Sequence, residues 1–132
     1  MSPDLMRHGL AAMIGGGVGS LLRFLVGAWM VHHYPEEKIP WATLAVNWLG
    51  CLMVGAIYGW VSDRWFMGLH LRYLLVTGFL GGFTTFSAFS VETLLMFRKG
   101  ETVLGWGYVV ASVAGGLVFA WVGERVSAAL SA

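Results

Sequence analysis

The string Gly81-Gly82-Phe83-Thr84-Thr85-Phe86-Ser87-Ala88-Phe89-Ser90-Val91-Glu92 concentrates the residues of this chain that can do chemistry. Two adjacent glycines, a β-branched threonine pair and then two serines make a poor helix centre by intrinsic propensity. They fall near the middle of a long apolar stretch, where unpaired backbone groups are most costly if the surroundings are lipid. A helix break at that depth survives only when it is buried in protein or lines a polar cavity. Its freed carbonyls can then coordinate a cation, and its freed amides can face an anion. The segment from Gly81-Gly82 to Thr84-Thr85 is therefore a candidate ion site built from backbone. The competing reading is a continuous helix whose Thr and Ser hydroxyls bond back to carbonyls one turn earlier. Phe86 and Phe89 share a face if helix resumes after the break. Phenyl edges carry partial positive charge, so two of them turned into a narrow pore attract an anion weakly. The commoner use of such a pair is core or lipid contact. Here the hydroxyls of Thr85, Ser87 and Ser90 supply donors beside the rings.

Other costly groups stand in apolar surroundings. Arg23 and Glu92 are charges at membrane depth, and such charges are functional candidates by default. They can pair, sit at a water-filled mouth or, for Arg23, snorkel. Asn47 has four potential hydrogen bonds to place, and Thr43 precedes it by one helical turn on the same face. Tyr108, Ser112 and Gly116 form a thin polar stripe at i, i+4 and i+8. His32-His33 and Glu36-Glu37 lack the spacing of a closed metal site and read as a solvated loop. No nucleophile–base–orienter set, phosphate-cradling glycine loop or redox motif is present, so the chain reads as something other than an enzyme.

The elements that must position these groups follow from composition. Only 11% of the 132 residues are charged and 58% are hydrophobic, against about 25% charged in soluble domains. A solvated surface cannot be built from so few charges, which leaves lipid as the main solvent. A net charge of +1 without a basic stripe argues against nucleic acid as a partner. Cys51 is the single cysteine, so there is no intrachain disulfide framework. Four segments have the roughly 20 apolar residues that a span requires, at 10–31, 41–61, 73–97 and 102–123. Together they predict one four-helix membrane domain over residues 1–132. The first is too long for a secretory signal and is interrupted by Arg23. Trp29, Trp41, Trp60, Trp65 and Trp106 fall near span ends, as interfacial anchors do. Pro40 opens the second span, and Ser62-Asp63 is the polar end that closes it.

Charge does not orient these spans. Both termini and the middle loop carry Arg7, Arg64, Arg72 and Arg125, against Lys38, Arg98 and Lys99 on the other side. So even a split specifies almost no orientation and makes an antiparallel homodimer possible, with a weakly biased single topology as the alternative. The pairs Gly15/Gly19, Gly55/Gly59 and Gly78/Gly82 allow close helix approach. Four helices leave little room for an aqueous path, which favours oligomerisation.

Taken together, these residues resemble the Fluc/CrcB family of small fluoride channels. The resemblance covers nearly the whole chain. It rests on Gly15-Gly16-Gly17-Val18-Gly19-Ser20-Leu21-Leu22-Arg23, on Thr43-Leu44-Ala45-Val46-Asn47-Trp48-Leu49-Gly50, and most strongly on the string from Gly81 to Glu92. It implies an all-α integral membrane protein with four helices per subunit, the third broken near its centre, in an antiparallel, dual-topology homodimer with two fluoride pores. It also implies a structural Na⁺ at the dimer centre, held by the carbonyls of Gly81 and Thr84. Phe86 and Phe89 match the family's pore phenylalanines, Asn47 its pore asparagine and Arg23 its vestibule arginine. Tyr108 and Ser112 match fourth-helix pore positions, while Thr43 and Glu92 match further polar positions. A bacterial inner membrane is the implied location.

The chain departs from the family pattern at Trp41-Ala42-Thr43, where many members have Gly before Thr, and at Ala88, where Ser or Thr is common. Ala114, Gly116, Val118 and Ala120 replace hydroxyls that some members carry, which thins the polar track. The implied mechanism follows from fluoride's small size and appetite for hydrogen bonds. Asn47, Ser112 and the Thr85 and Ser87 hydroxyls would replace part of its water shell, and no site may hold it too tightly. Flow would be passive, outward across a negative-inside membrane, and would relieve fluoride toxicity. Two other readings are a small multidrug-type proton-coupled exporter and a non-conducting or heterodimer-only subunit. The exporter expects an acid in the first span, where this chain has Arg23.

Overall fold

Ser2 opens the first helix. Its Oγ accepts from Leu5 N at 3.3 Å, Pro3 fills the first helical position and Asp4 lies in the first turn. This cap starts α1 (Pro3–His33) well before the apolar stretch that hydropathy alone marks from Leu10. The computed structural model describes residues 2–35, 37–61, 64–66 and 69–131. Glu36 of the His/Glu loop and the Ser62-Asp63 polar end lie outside the described residues. α2 (Trp41–Val61) begins directly after Pro40, whose carbonyl accepts from Leu44 N at 3.1 Å. A two-residue antiparallel ladder follows, β1 (Trp65–Phe66) on β2 (Leu69–His70), with Trp65 opposite His70.

The third span starts as a wide π-type helix over Tyr73–Leu80 and tightens into α3 (Gly81–Phe83). Thr84 (φ −86°, ψ 159°) and Thr85 (φ −150°, ψ 121°) are extended, and α4 (Phe86–Arg98) resumes the helix. α4 ends in a Schellman turn. Gly100 takes φ 77°, Gly100 N donates to Phe97 O at 3.0 Å, and Glu101 N donates to Met96 O at 2.9 Å. α5 (Thr102–Ser131) then runs past the predicted end at 123. Among the described residues, four stretches are long and apolar enough to cross a membrane: Pro3–His33, Trp41–Tyr58, Tyr73–Arg98 and Thr102–Leu130. The chain is a helical, multi-pass membrane protein.

Two parallel helix pairs organise the molecule. α1 lies along the first half of the third span, and α2 lies along α5. Small residues make both approaches possible. Gly15 faces the backbone of Leu74 and Phe79, and Gly82 faces the backbone of Gly16. Gly55 faces the Ala120 carbonyl, and Gly123 faces the Leu52 carbonyl. A cluster of buried side chains, Leu44, Phe89, Met96 and Tyr108, sits where α2, α4 and α5 meet, with Trp48 and Leu104 against it. This core backs the break between α3 and α4, so the break rests on packed protein on one side.

Candidate functional site

The site is built from the loss of helical hydrogen bonds at Thr84 and Thr85. In a continuous helix the Thr85 and Ala88 N–H groups would bond the carbonyls of Gly81 and Thr84. Here Thr85 N donates instead to Asn47 Oδ1 at 2.8 Å, and Ala88 N donates to Thr85 Oγ1 at 3.2 Å. Thr85 thereby caps α4, and the Gly81 and Thr84 carbonyls are released from their helical donors. Asn47 Nδ2 also donates to Thr85 O at 3.0 Å. One side-chain amide on α2 thus holds both backbone groups of a residue that has left the helix. Thr84 stays tied to the turn before it through N and Oγ1, each 2.9 Å from Leu80 O.

Arg23 Nε donates to the Gly82 carbonyl at 3.0 Å, and Ser20 Oγ donates to the same oxygen at 3.3 Å. α1 therefore satisfies one freed carbonyl of the break and brings its only intramembrane charge to it. Glu92 lies elsewhere. Thr43 Oγ1 donates to Glu92 Oε1 at 2.6 Å, and the Tyr108 hydroxyl donates to Glu92 Oε2 at 2.7 Å. The sequence allowed an Arg23–Glu92 pair; each is engaged with other partners. A carboxylate at this depth is stabilised by charge-assisted hydrogen bonds from two helices.

A cavity of about 540 Å³ lies beside the break, lined by Asn47, Cys51, Gly81, Thr84, Thr85, Phe86, Phe89, Ser112 and Gly116, with aliphatic side chains completing it. The Ser112 Oγ is buried with no hydrogen-bond partner among the described residues, and buried polar atoms in that state call for a ligand or water. The Phe86 and Phe89 rings stand 5.4 Å apart at 49°, and Phe89 meets the Tyr108 ring at the same distance and tilt. Phe89 is 8% exposed and Phe86 77% exposed. Ser87 Oγ lies 3.4 Å from Thr85 Oγ1 and is exposed, and Ser90 Oγ donates to Phe86 O at 2.9 Å. A second cleft of about 670 Å³ holds Arg23, His32 and Thr43 and also ends on Thr85.

The structure thus brings together Asn47, Gly81, Thr84, Thr85, Phe86, Phe89 and Ser112. Arg23 approaches through Gly82, and Ser87 through the Thr85 hydroxyl. Thr43, Glu92 and Tyr108 form a separate hydrogen-bonded cluster that reaches the cavity through the Phe89–Tyr108 ring contact. Ser20 and Trp48 were not singled out by their sequence context. Ser20 shares the Gly82 carbonyl with Arg23, and its place one turn before Arg23 was the available signal. Trp48 Nε1 donates to Ala111 O at 3.0 Å and stacks on Phe119 at 5.2 Å, fixing α5 beside Asn47.

Comparison with known proteins bears on what this arrangement does. Residues 10–124 match the profile of the family described as CrcB-like protein, Camphor Resistance (CrcB). The chain is 44% identical over 126 residues to the fluoride-specific ion channel FluC of Rhizobium leguminosarum bv. trifolii, covering 96% of this chain and 100% of that one. It is 42% identical over 125 residues to the protein of the same name from Rhizobium etli, covering 95% and 99%. Against the one from Azotobacter vinelandii the figures are 46% over 114 residues, 86% and 91%.

Proposed function

This chain belongs to the CrcB family, and from that premise we propose that it is a fluoride-specific ion channel that works as an antiparallel homodimer. The observation that carries the reading is the cavity beside the helix break, which the donors Asn47 and Ser112 line together with Phe86 and Phe89, and from whose lining Glu92 is absent. Fluoride is the small, hard anion such a lining suits. Asn47 has one amide N–H left after its bond to Thr85, and Ser112 has a hydroxyl without a partner. These donors replace part of the anion's water shell. The edges of Phe86 and Phe89 carry it onward without a fixed cation that would trap it.

The first span of a proton-coupled exporter would supply a free acid, and here Glu92 on α4 is occupied by Thr43 and Tyr108. The channel reading fits the site better. Flow is passive and electrogenic, so a negative-inside membrane drives fluoride out of the cell and limits its toxicity. The protein sits in the bacterial inner membrane in both orientations, a reading supported by the near-even distribution of Lys and Arg.

The released carbonyls of Gly81 and Thr84 suit a Na⁺ ion. They are hard oxygen donors at the end of a half-helix, and their helical donors are diverted to Asn47 and Thr85 Oγ1. With Gly82 already engaged by Arg23 and Ser20, these two oxygens would hold the ion between subunits. The ion would supply positive charge that fixes the break, with no part in moving fluoride.

The test is fluoride efflux from liposomes holding the purified chain, with chloride run in parallel. Rapid, valinomycin-dependent loss of fluoride with chloride retained is the expected result. Retention of both ions by a chain that elutes as a dimer would refute a self-sufficient channel and point to a required sister subunit.

A further inference from the structure

We infer that the hairpin between the second and third spans is a docking site for the headgroup of an anionic phospholipid, taken up by the guanidinium groups of Arg64 and Arg72. The apolar stretches on either side end at Tyr58 and open at Tyr73, so residues 59–72 lie where hydrocarbon gives way to glycerol and phosphate. Arg64 and Arg72 stand at the two feet of the hairpin. Leu71 N donates to Arg64 O at 3.1 Å, and the ladder beyond sets Trp65 opposite His70. The ladder is tied to α1, because His70 N donates to His8 Nε2 at 3.5 Å and the His8 ring lies 4.4 Å from that of Tyr73. The two arginines are therefore presented by a braced turn.

Each guanidinium is laid on an aromatic ring. Arg64 Cζ lies 4.6 Å from the centre of the Trp60 ring, and Arg72 Cζ lies 4.9 Å from that of Tyr73. The Tyr73 hydroxyl also accepts from Arg72 Nη2 at 3.0 Å. Stacking of this kind holds the planar cation by its face and leaves in-plane N–H donors for a bidentate acceptor. Among the described residues, neither arginine has a carboxylate within ion-pair reach, and the Arg64 side chain has no hydrogen-bond acceptor. Other cations of the chain are spent differently. Arg23 is engaged by Gly82 O, and Lys38 pairs with Glu101 at 3.3 Å. Trp60, Trp65 and Phe66, beside the two arginines in the chain, are more than half exposed.

A phosphodiester with lipid attached is the partner this chemistry fits. Its two non-bridging oxygens match the fork of a guanidinium, and its glycerol and upper acyl carbons meet the exposed rings. A zwitterionic lipid brings an ammonium group with its phosphate, which two unneutralised arginines oppose, whereas a glycerol headgroup leaves the negative charge alone. Arg125, 5.4 Å from the Trp121 ring, repeats the stacked arrangement on α5. Gly55 of α2 faces Ala120 and Gly116 of α5 faces Cys51, so the two helices run in parallel and Arg125 lies at the same end of the bundle. A lipid held at the hairpin clamps the end of α2 to the start of the third span and so stabilises the fold.

The experiment is native mass spectrometry and thermal unfolding of the purified chain in non-ionic detergent, with dioleoylphosphatidylglycerol or dioleoylphosphatidylcholine added at equal concentration. The chain should retain the anionic lipid over the zwitterionic one on the order of tenfold, and its Tm should rise only with the anionic lipid. R64Q with R72Q should bring the preference near one and leave the Tm in phosphatidylcholine unchanged. R64Q alone breaks no hydrogen bond of the protein and should already lower the preference severalfold. R64K with R72K keeps the charge, loses the fork and should keep only part of the preference. R98Q with K99Q, at the other end of the bundle, should keep all of it. Equal retention of the two lipids, a preference that survives R64Q with R72Q, or one lost in R98Q with K99Q would each overturn the inference. So would a Tm rise reproduced by inorganic phosphate at the same concentration, which would make the site one for free anions. None of these outcomes bears on the fluoride-channel reading, which the efflux measurement tests separately.

Discussion

Asn47 and the two phenylalanines separate support of the site from conduction. Asn47 spends its acceptor and one donor on Thr85, so Asn47→Ala leaves a part-buried backbone N–H without a partner. That loss costs about 1–3 kcal/mol. Thermal unfolding in detergent should show it as a lowered Tm, together with loss of fluoride flux. Phe86 and Phe89 behave differently because one is 77% exposed and the other 8% exposed. Phe86→Ile removes only a ring edge and should cut flux with the Tm unchanged. Phe89→Ile should cut flux and also lower stability by about 1–2 kcal/mol, since it leaves Tyr108 and Leu44 poorly packed. Unchanged flux in both variants would remove the phenyl rings from the conduction path. The residue types at the site were legible because polar groups in an apolar chain are conspicuous. Their partners were less so. Asn47 reads as a pore donor from its position, but its bonds to Thr85 join residues 38 apart in sequence, which no local pattern encodes.

At the scale of elements, the spans were legible because about 20 apolar residues are the length a bilayer sets. The ends were not, since hydropathy is blind to caps. Ser2-Pro3 starts α1 before Leu10, and α5 continues through the polar Glu124 and Arg125 to Ser131. The ladder of β1 and β2 is too short for alternation to show. The sequence at Thr84-Thr85 is compatible with a break and with a continuous helix because the same hydroxyls serve either. Thr85 Oγ1 caps the next helix, whereas Thr84, Ser90 and Thr93 bond back one turn. What decides between these outcomes is an acceptor on α2, outside the segment. Pairing of the spans rests on glycine, which fixes a further expectation. A Cβ at residue 82 would fall on the backbone of Gly16, so Gly82→Ala must separate α1 from the third span. That movement also pulls Arg23 and Ser20 from the Gly82 carbonyl. Destabilisation by about 2–3 kcal/mol or more is expected, measured as a lowered Tm, whereas Gly17→Ala, with open space around it, should be nearly neutral.

For the whole molecule the consequence is topological. Charge bias of four against three leaves the insertion direction undecided, and an antiparallel pair needs both directions populated. Adding positive charge to one side should therefore abolish function without touching the site. Tyr34→Lys, Glu37→Lys, Thr102→Lys and Val103→Lys together raise the second side from three cationic residues to seven against four, at four exposed positions. A reporter on the C-terminus should be accessible from both membrane faces in the wild type and from one face in this variant, whose fluoride flux should be lost. Leu5→Lys with Leu130→Lys biases the opposite side, again at exposed positions, and should also be silent alone. Co-expression of the two oppositely biased chains restores one copy in each direction, so flux should return. Full flux from either biased chain alone would mean that conduction does not need inverted copies. The homodimer would then have to be parallel, and the Gly81 and Thr84 carbonyls of its subunits would leave the membrane centre as a shared site.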